Sequence, residues 1–234
     1  MLVAGHLTSV QKAGRVVCRG GGRPLRSVAM HDDVIGVFPL ELVMLPGEAV
    51  PLHLFEPRYR QLLADSVLEQ QPFAICRSVG EAMERIGCAG TFETVVRRLA
   101  DGRLHVIVRG AARIEVLAPA QEGRLYDTAV VREVPDEDSD APPELAQRVI
   151  ERFRELGGGA EVPLEPPAVP LSYRIGGVVD MPLDAKQELL ESRSEEHRLE
   201  TLLGLLDRAS RGAAHARMAA QRASTNGHVT PPGR

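Results

Sequence analysis

The apolar residues of this chain change period once, across an acidic, proline-bearing stretch from Glu133 to Glu144, and that change constrains the fold more than any other feature. Before it, short β-rich runs alternate with turn residues; after it, apolar positions recur at helical spacing. The upstream runs are Val34–Phe38, Phe73–Val79, Gly90–Leu99, Leu104–Val108, Ile114–Leu117 and Tyr126–Val134. Alternation is clearest in Leu104, Val106 and Val108, and Asp101-Gly102 is a hairpin-turn dipeptide. One helix interrupts them. Pro57 suits a first helical position, and Tyr59, Leu62, Leu63 and Val67 follow on one face, which predicts a helix over Pro57–Gln70. Several short strands with a single inserted helix predict a closed or nearly closed β-barrel.

Downstream, Leu145, Val149, Ile150 and Phe153 share a helical face, and Gly157-Gly158-Gly159 with prolines 163, 166, 167 and 170 ends that helix. Leu171–Val179 reads as a short helix. Asp184 with Gln187, and Ser192 with Glu195, have the spacing of capping boxes that open two further helices. Leu199, Leu202, Leu203 and Leu206 form the apolar stripe of the last one. The expected organisation is therefore α+β: a barrel over 34–135, a solvated acidic linker over 136–143 holding Asp136, Glu137, Asp138 and Asp140, and a carboxy-terminal helical bundle over 144–211. Residues 1–33 are expected to be a basic extension without fixed structure, and 212–234 a fraying tail. Met30 is an alternative initiator, which would leave 23 basic against 32 acidic residues.

Charge and residue usage exclude several function classes. The formal net charge is −4, which does not favour generic polyanion binding. A phosphate-cradling loop needs a lysine directly after glycine, yet Lys12 follows Gln11 and Lys186 follows Ala185, so no Walker-type nucleotide site exists. Cys18, Cys76 and Cys88 form no C-x-x-C pair and read as reduced thiols in a cytoplasmic protein, Cys76 as a small buried hydrophobe. The seven histidines, His6, His31, His53, His105, His197, His215 and His228, show no H-E-x-x-H or short His-His spacing, so no metal site and no cofactor are expected. No apolar stretch approaches the ~20 residues that span a bilayer.

The string Phe38-Pro39-Leu40-Glu41-Leu42-Val43-Met44-Leu45-Pro46-Gly47, continuing through Pro51-Leu52-His53-Leu54-Phe55-Glu56-Pro57-Arg58-Tyr59-Arg60, resembles the amino-terminal substrate-binding domain of the Lon protease family, in particular its stand-alone bacterial form. Arg85–Thr91, Asp101–Leu104, Val108–Arg113, Leu171–Arg174 and Glu188–Glu191 extend the resemblance over most of residues 34–210. It implies a PUA-like β-barrel followed by a helical bundle, the architecture that periodicity predicts independently. It also implies a module for peptide or unfolded-protein segments, an adaptor in protein quality control that cooperates with a separate ATP-dependent protease. In full-length Lon proteases a separate module hydrolyses ATP and another carries a Ser-Lys peptidase dyad. Lys186 falls in a predicted helix of the bundle, so peptidase chemistry has no residue to rest on and the chain is expected not to be an enzyme.

The segment from Val43 to Tyr59 is unusually apolar for a proline-rich stretch, and an exposed part of it would offer a peptide groove. Met44, Leu45, Pro46, Leu52, Phe55, Arg58 and Tyr59 are the candidate peptide-binding residues. Leu45, Leu52 and Phe55 are the members expected to plug the barrel, and Met44 the one expected at the surface. Arg58 and Arg60 flank Tyr59 at a helix start, where an anion or a Glu56–Arg60 ion pair would fit. RNA binding is the alternative, because PUA-like barrels often contact RNA. The acidic folded region and the eight aromatic residues of the whole chain supply a stacking platform poorly. No Ser-His-Asp order or carboxylate pair supports a hydrolase.

Overall fold

The computed structural model describes residues 32–120, 123–138, 140–157 and 169–225. The amino-terminal extension to residue 31, Met30 and Cys18 with it, most of the glycine- and proline-rich segment after the first bundle helix, and residues 226–234 lie outside the described residues.

Strand β1 (Asp33–Leu40) serves two neighbours in succession. Its first half pairs antiparallel with β7 (Thr128–Glu133), Gly36 opposite Thr128; its second half leaves β7 and runs parallel to β3 (Phe73–Val79), Val37 opposite Ala74. With β5 (Ile86–Arg98) and β6 (Leu104–Ala120) between β3 and β7, these pairings close a ring β1–β7–β6–β5–β3. The closure is uneven, because β1 is shared lengthwise rather than held on both edges. Gly36 stands at the switch, where a Cβ would lie 2.2 Å from Leu62 Cδ1 and 2.7 Å from Tyr126 Cε2. Two strands are accessory: β2 (Ala49–Leu54) lies against the first half of β6, and β4 (Ala82–Met83) makes a short hairpin on β3.

The barrel interior is narrow and is filled by small and β-branched side chains from all five strands: Ile35, Val37, Ala74, Cys76, Ala89, Ile114, Ala129 and Val131. The aromatic and most of the large aliphatic side chains point the other way. Phe38, Leu45, Leu52, Phe73, Ile75, Cys88 and Val108 join helix α1 (Pro57–Glu69) and the carboxy-terminal helices in a second, continuous core. Cys76 is thus the small buried hydrophobe that its apolar neighbours predict.

Several elements differ from the periodicity reading. Leu104–Val108 and Ile114–Leu117 belong to one 17-residue strand, because Gly110-Ala111-Ala112 is small enough to carry β6 beneath the loop at Leu45. A Cβ on Gly110 would lie 2.1 Å from the Leu45 carbonyl oxygen. The proline-punctuated loop contains β2, with Pro51 on its exposed outer side. On α1 the stripe stops at Leu63; Val67 is exposed, and the helix ends at Gln70 in the left-handed region, φ 54°.

The bundle comprises α2 (Pro143–Glu155), α3 (Leu171–Gly176), α4 (Leu183–Glu191) and α5 (Glu195–Thr225). Neither expected capping box forms. Pro182 precedes α4, leaving Asp184 inside its first turn, where it accepts from Arg77, while Gln187 donates to the Ile86 carbonyl. At α5 the capping side chain is Ser194, whose hydroxyl accepts the His197 N–H, and Glu195 turns instead to Ser172 and Arg198. Helix α5 also continues to Thr225, beyond Arg211 where a frayed tail was expected; the alanine-rich sequence there has high helix propensity.

Asp136 is not part of a solvated linker. Its carboxylate accepts from Arg113 of β6 at 2.7 Å and from Arg198 of α5 at 2.7 Å, and both arginine side chains are buried. Arg113 also donates to Tyr173 Oη and the Ser192 carbonyl, and Arg198 to Glu195. Two buried guanidinium groups sharing one carboxylate lock the barrel to the bundle.

Candidate functional site at the barrel mouth

Where β1 departs from β7 the ring is left open at one end, and a groove of about 660 Å³ occupies the gap. Val37, Ala129, Val116 and Met83 form its floor as a continuation of the barrel interior. Phe38, Phe55 and Tyr59 line it as well, Pro119 and Ala120 come from the end of β6, and the β3–β4 turn contributes Gly80, Glu81 and Ala82. Pro39 and Pro119 place two residues without backbone donors on the lining.

The candidate peptide-binding residues separate sharply. Met44, Leu45, Pro46 and Leu52 are buried, Met44 at 1% exposure, and none of them lines the groove. Met44 is therefore the reverse of the exposed member it was expected to be. The loop that carries it is pinned to β6 by Gly47 N–H to Gly110 O and Gly110 N–H to Glu48 O, both 2.9 Å. Glu48 in turn accepts the Leu45 N–H at 2.9 Å and Lys186 Nζ at 2.7 Å. Val43, Met44 and Leu45 are held inward as a result.

Phe55 is the opposite case: expected as a plug, it is 60% exposed. In β2 the side chains of Leu52 and Leu54 point into the core, so His53 points out, and Phe55, the residue after the strand, keeps that outward phase. Phe55, Arg58 and Tyr59 do line the groove. Tyr59 is largely buried, its ring stacked on Phe38 at 3.9 Å between centroids. Burial raises the Tyr59 hydroxyl above its ordinary pKa, with Arg58 opposing and the charges of Glu56 and Asp127 adding to it.

Arg58 lies 4.5 Å over the Tyr59 ring and donates to Glu56 at 2.8 Å. The expected Glu56–Arg60 pair is replaced by this one, since Arg60 reaches away to the Gly102 carbonyl at the β5–β6 turn. His53 borders the groove and meets His105 across the β2–β6 ladder, Nδ1 to Nε2 at 3.1 Å. Among the described residues, no three His, Cys, Asp or Glu side chains gather as a metal site. Cys76 and Cys88 are buried free thiols, and burial pushes Cys76 up to about 12.

Val37, Phe38, Pro39, Glu81, Met83, Val116, Pro119 and Asp127 were not singled out from the sequence as site residues. They converge through long-range pairings between strands; Phe38 and Pro39 open the string that carries the family resemblance, and no local motif marks the others.

Residues 34–208 match the family described as the ATP-dependent protease La (LON) substrate-binding domain. Among curated proteins, the Lon protease of Anaeromyxobacter dehalogenans is 28% identical over 218 residues, covering 84% of this chain and 26% of that protein. Lon protease 2 of Myxococcus xanthus is 29% identical over 196 residues, covering 75% and 24%. The chain thus spans about a quarter of the length of the Lon proteases it matches. Among solved structures, a Lon N-terminal domain protein from Xanthomonas campestris superposes with a TM-score of 0.60 at 25% identity, over 74% of this chain and 98% of that one. The N-terminal domain of a Mycobacterium avium complex Lon protease shares the fold, with a TM-score of 0.58 at 20% identity over 75% of this chain and 98% of that one.

Proposed function

Because this chain belongs to the LON substrate-binding domain family, we propose that it is a non-catalytic module that holds apolar segments of unfolded protein in the groove at its barrel mouth. The observation that carries this reading is Phe55, a large aromatic side chain 60% exposed beside a groove whose floor is otherwise apolar. An exposed aromatic at the edge of a concave apolar surface is costly to hydrate and gains area when a ligand covers it. Tyr59 and Phe38, stacked on each other, are already ordered where they line the groove, so little of their side-chain entropy is lost on binding. Segments bound in this way could be passed to a separate ATP-dependent protease, which is the adaptor role proposed here.

A fluorescence-anisotropy titration with a labelled unfolded polypeptide tests the reading. Wild-type protein is expected to bind with little salt dependence, and Phe55→Ala to bind about tenfold more weakly, in line with the loss of a buried aromatic anchor. Unchanged affinity in Phe55→Ala, with the fold intact by circular dichroism, would sink the groove. A labelled single-stranded RNA run in parallel separates the alternative: RNA binding that collapses with salt would replace the polypeptide reading.

A further inference from the structure

Resting on the polypeptide reading of the same groove, we propose that the barrel mouth selects apolar segments flanked by lysine or arginine and rejects those flanked by aspartate or glutamate. Among the described residues its charged lining is unbalanced: Glu56, Glu81 and Asp127 against the guanidinium of Arg58. That guanidinium is already committed, at 2.8 Å from Glu56 and 4.5 Å over the Tyr59 ring. Glu81 and Asp127 remain. Both are exposed, neither has a side-chain partner among the described residues, and they approach from different elements, the β3–β4 turn and the residue before β7.

The charge of Asp127 is felt within the groove, since it contributes to raising the Tyr59 hydroxyl. The same groove is lined by Val37, Val116, Met83 and Ala129, which belong to or pack on the buried barrel interior, while Glu81 and Asp127 are exposed, so an apolar core would sit below a negatively charged rim. A cation beside that core gains attraction from Glu81 and Asp127 and meets the open face of Phe55, whereas an acidic flank meets like charge on both sides. These are rim interactions, exposed to water, so they sort ligands without providing most of the affinity.

The test uses the full chain and three fluorescein-labelled peptides that share one apolar, aromatic core and differ only in flanking arginine, serine or glutamate. At low salt the expected order of affinity is arginine, serine, glutamate, with about fivefold between the first and last, the scale of two exposed ion pairs. The ratio is expected to fall towards one in wild-type protein at ~0.5 M salt, where the Debye length is only a few Å. The same collapse is expected in the Glu81→Gln, Asp127→Asn double variant at low salt. Equal or reversed affinities for the arginine and glutamate peptides overturn the selectivity, and so does a ratio that persists in the double variant. Failure of the serine-flanked peptide to bind wild-type protein overturns the polypeptide site itself, whereas serine-peptide binding with no flank preference overturns the selectivity alone.

Discussion

Residue by residue, burial decides what each candidate side chain can do. Cys76 fills the barrel interior, and its thiol is held from an ordinary value of 9.0 up to about 12 by desolvation. The folded state therefore keeps a proton that the unfolded state releases first. Stability from this group is complete below pH 9.0, declines as pH rises from there, and is lost at about 12. Urea midpoints measured at about pH 8 and about pH 10.5 should fall with pH in wild-type protein and fall less steeply in Cys76→Ala. The sequence reading recognised Cys76 as buried from its apolar run, yet it reversed Met44 and Phe55. Apolarity alone cannot say which member of a run faces inward: at Phe55 the phase of β2 decides, and at Met44 the hydrogen bonds that pin its loop to Gly110 decide.

At the level of elements, the strand and helix periods were legible because burial on one face leaves a repeating mark in the sequence. What joins the elements was not. The ladder between Gly90 and Gly110, the partner switch of β1 and the two-arginine hold on Asp136 are contacts between distant segments, and no local spacing encodes them. Gly110 is the sharpest case, since the Leu45 carbonyl oxygen occupies the space of its missing side chain. Gly110→Ala is expected to push the loop at Leu45 off β6 and cost about 2 kcal/mol or more, the scale of overpacking in a tight core. Urea denaturation measures that cost, and a change below about 0.5 kcal/mol would mean the loop yields freely.

On the scale of the whole molecule, barrel and bundle share one apolar core, with Leu45, Cys88 and Val108 continuous with Tyr173, Ile175, Leu189 and Leu202. They are expected to unfold in one transition. Asp136→Ala would leave Arg113 and Arg198 buried with their shared carboxylate removed, a loss of roughly 3–5 kcal/mol for a broken buried pair. Circular dichroism of the helices and fluorescence of the tyrosines, followed through the same denaturant series, should coincide in wild-type protein, and the midpoint should fall in that variant. The ring itself depends on β1, whose residue Gly36 must find Thr128. The two positions are about 90 residues apart, and at roughly 5–20 residues per second the ribosome takes ~5–20 s to make the second after the first. For that interval the first strand has been synthesised without its closing neighbour. A protein proposed here to hold apolar segments of other chains thus begins its own life with one of its own waiting to be held.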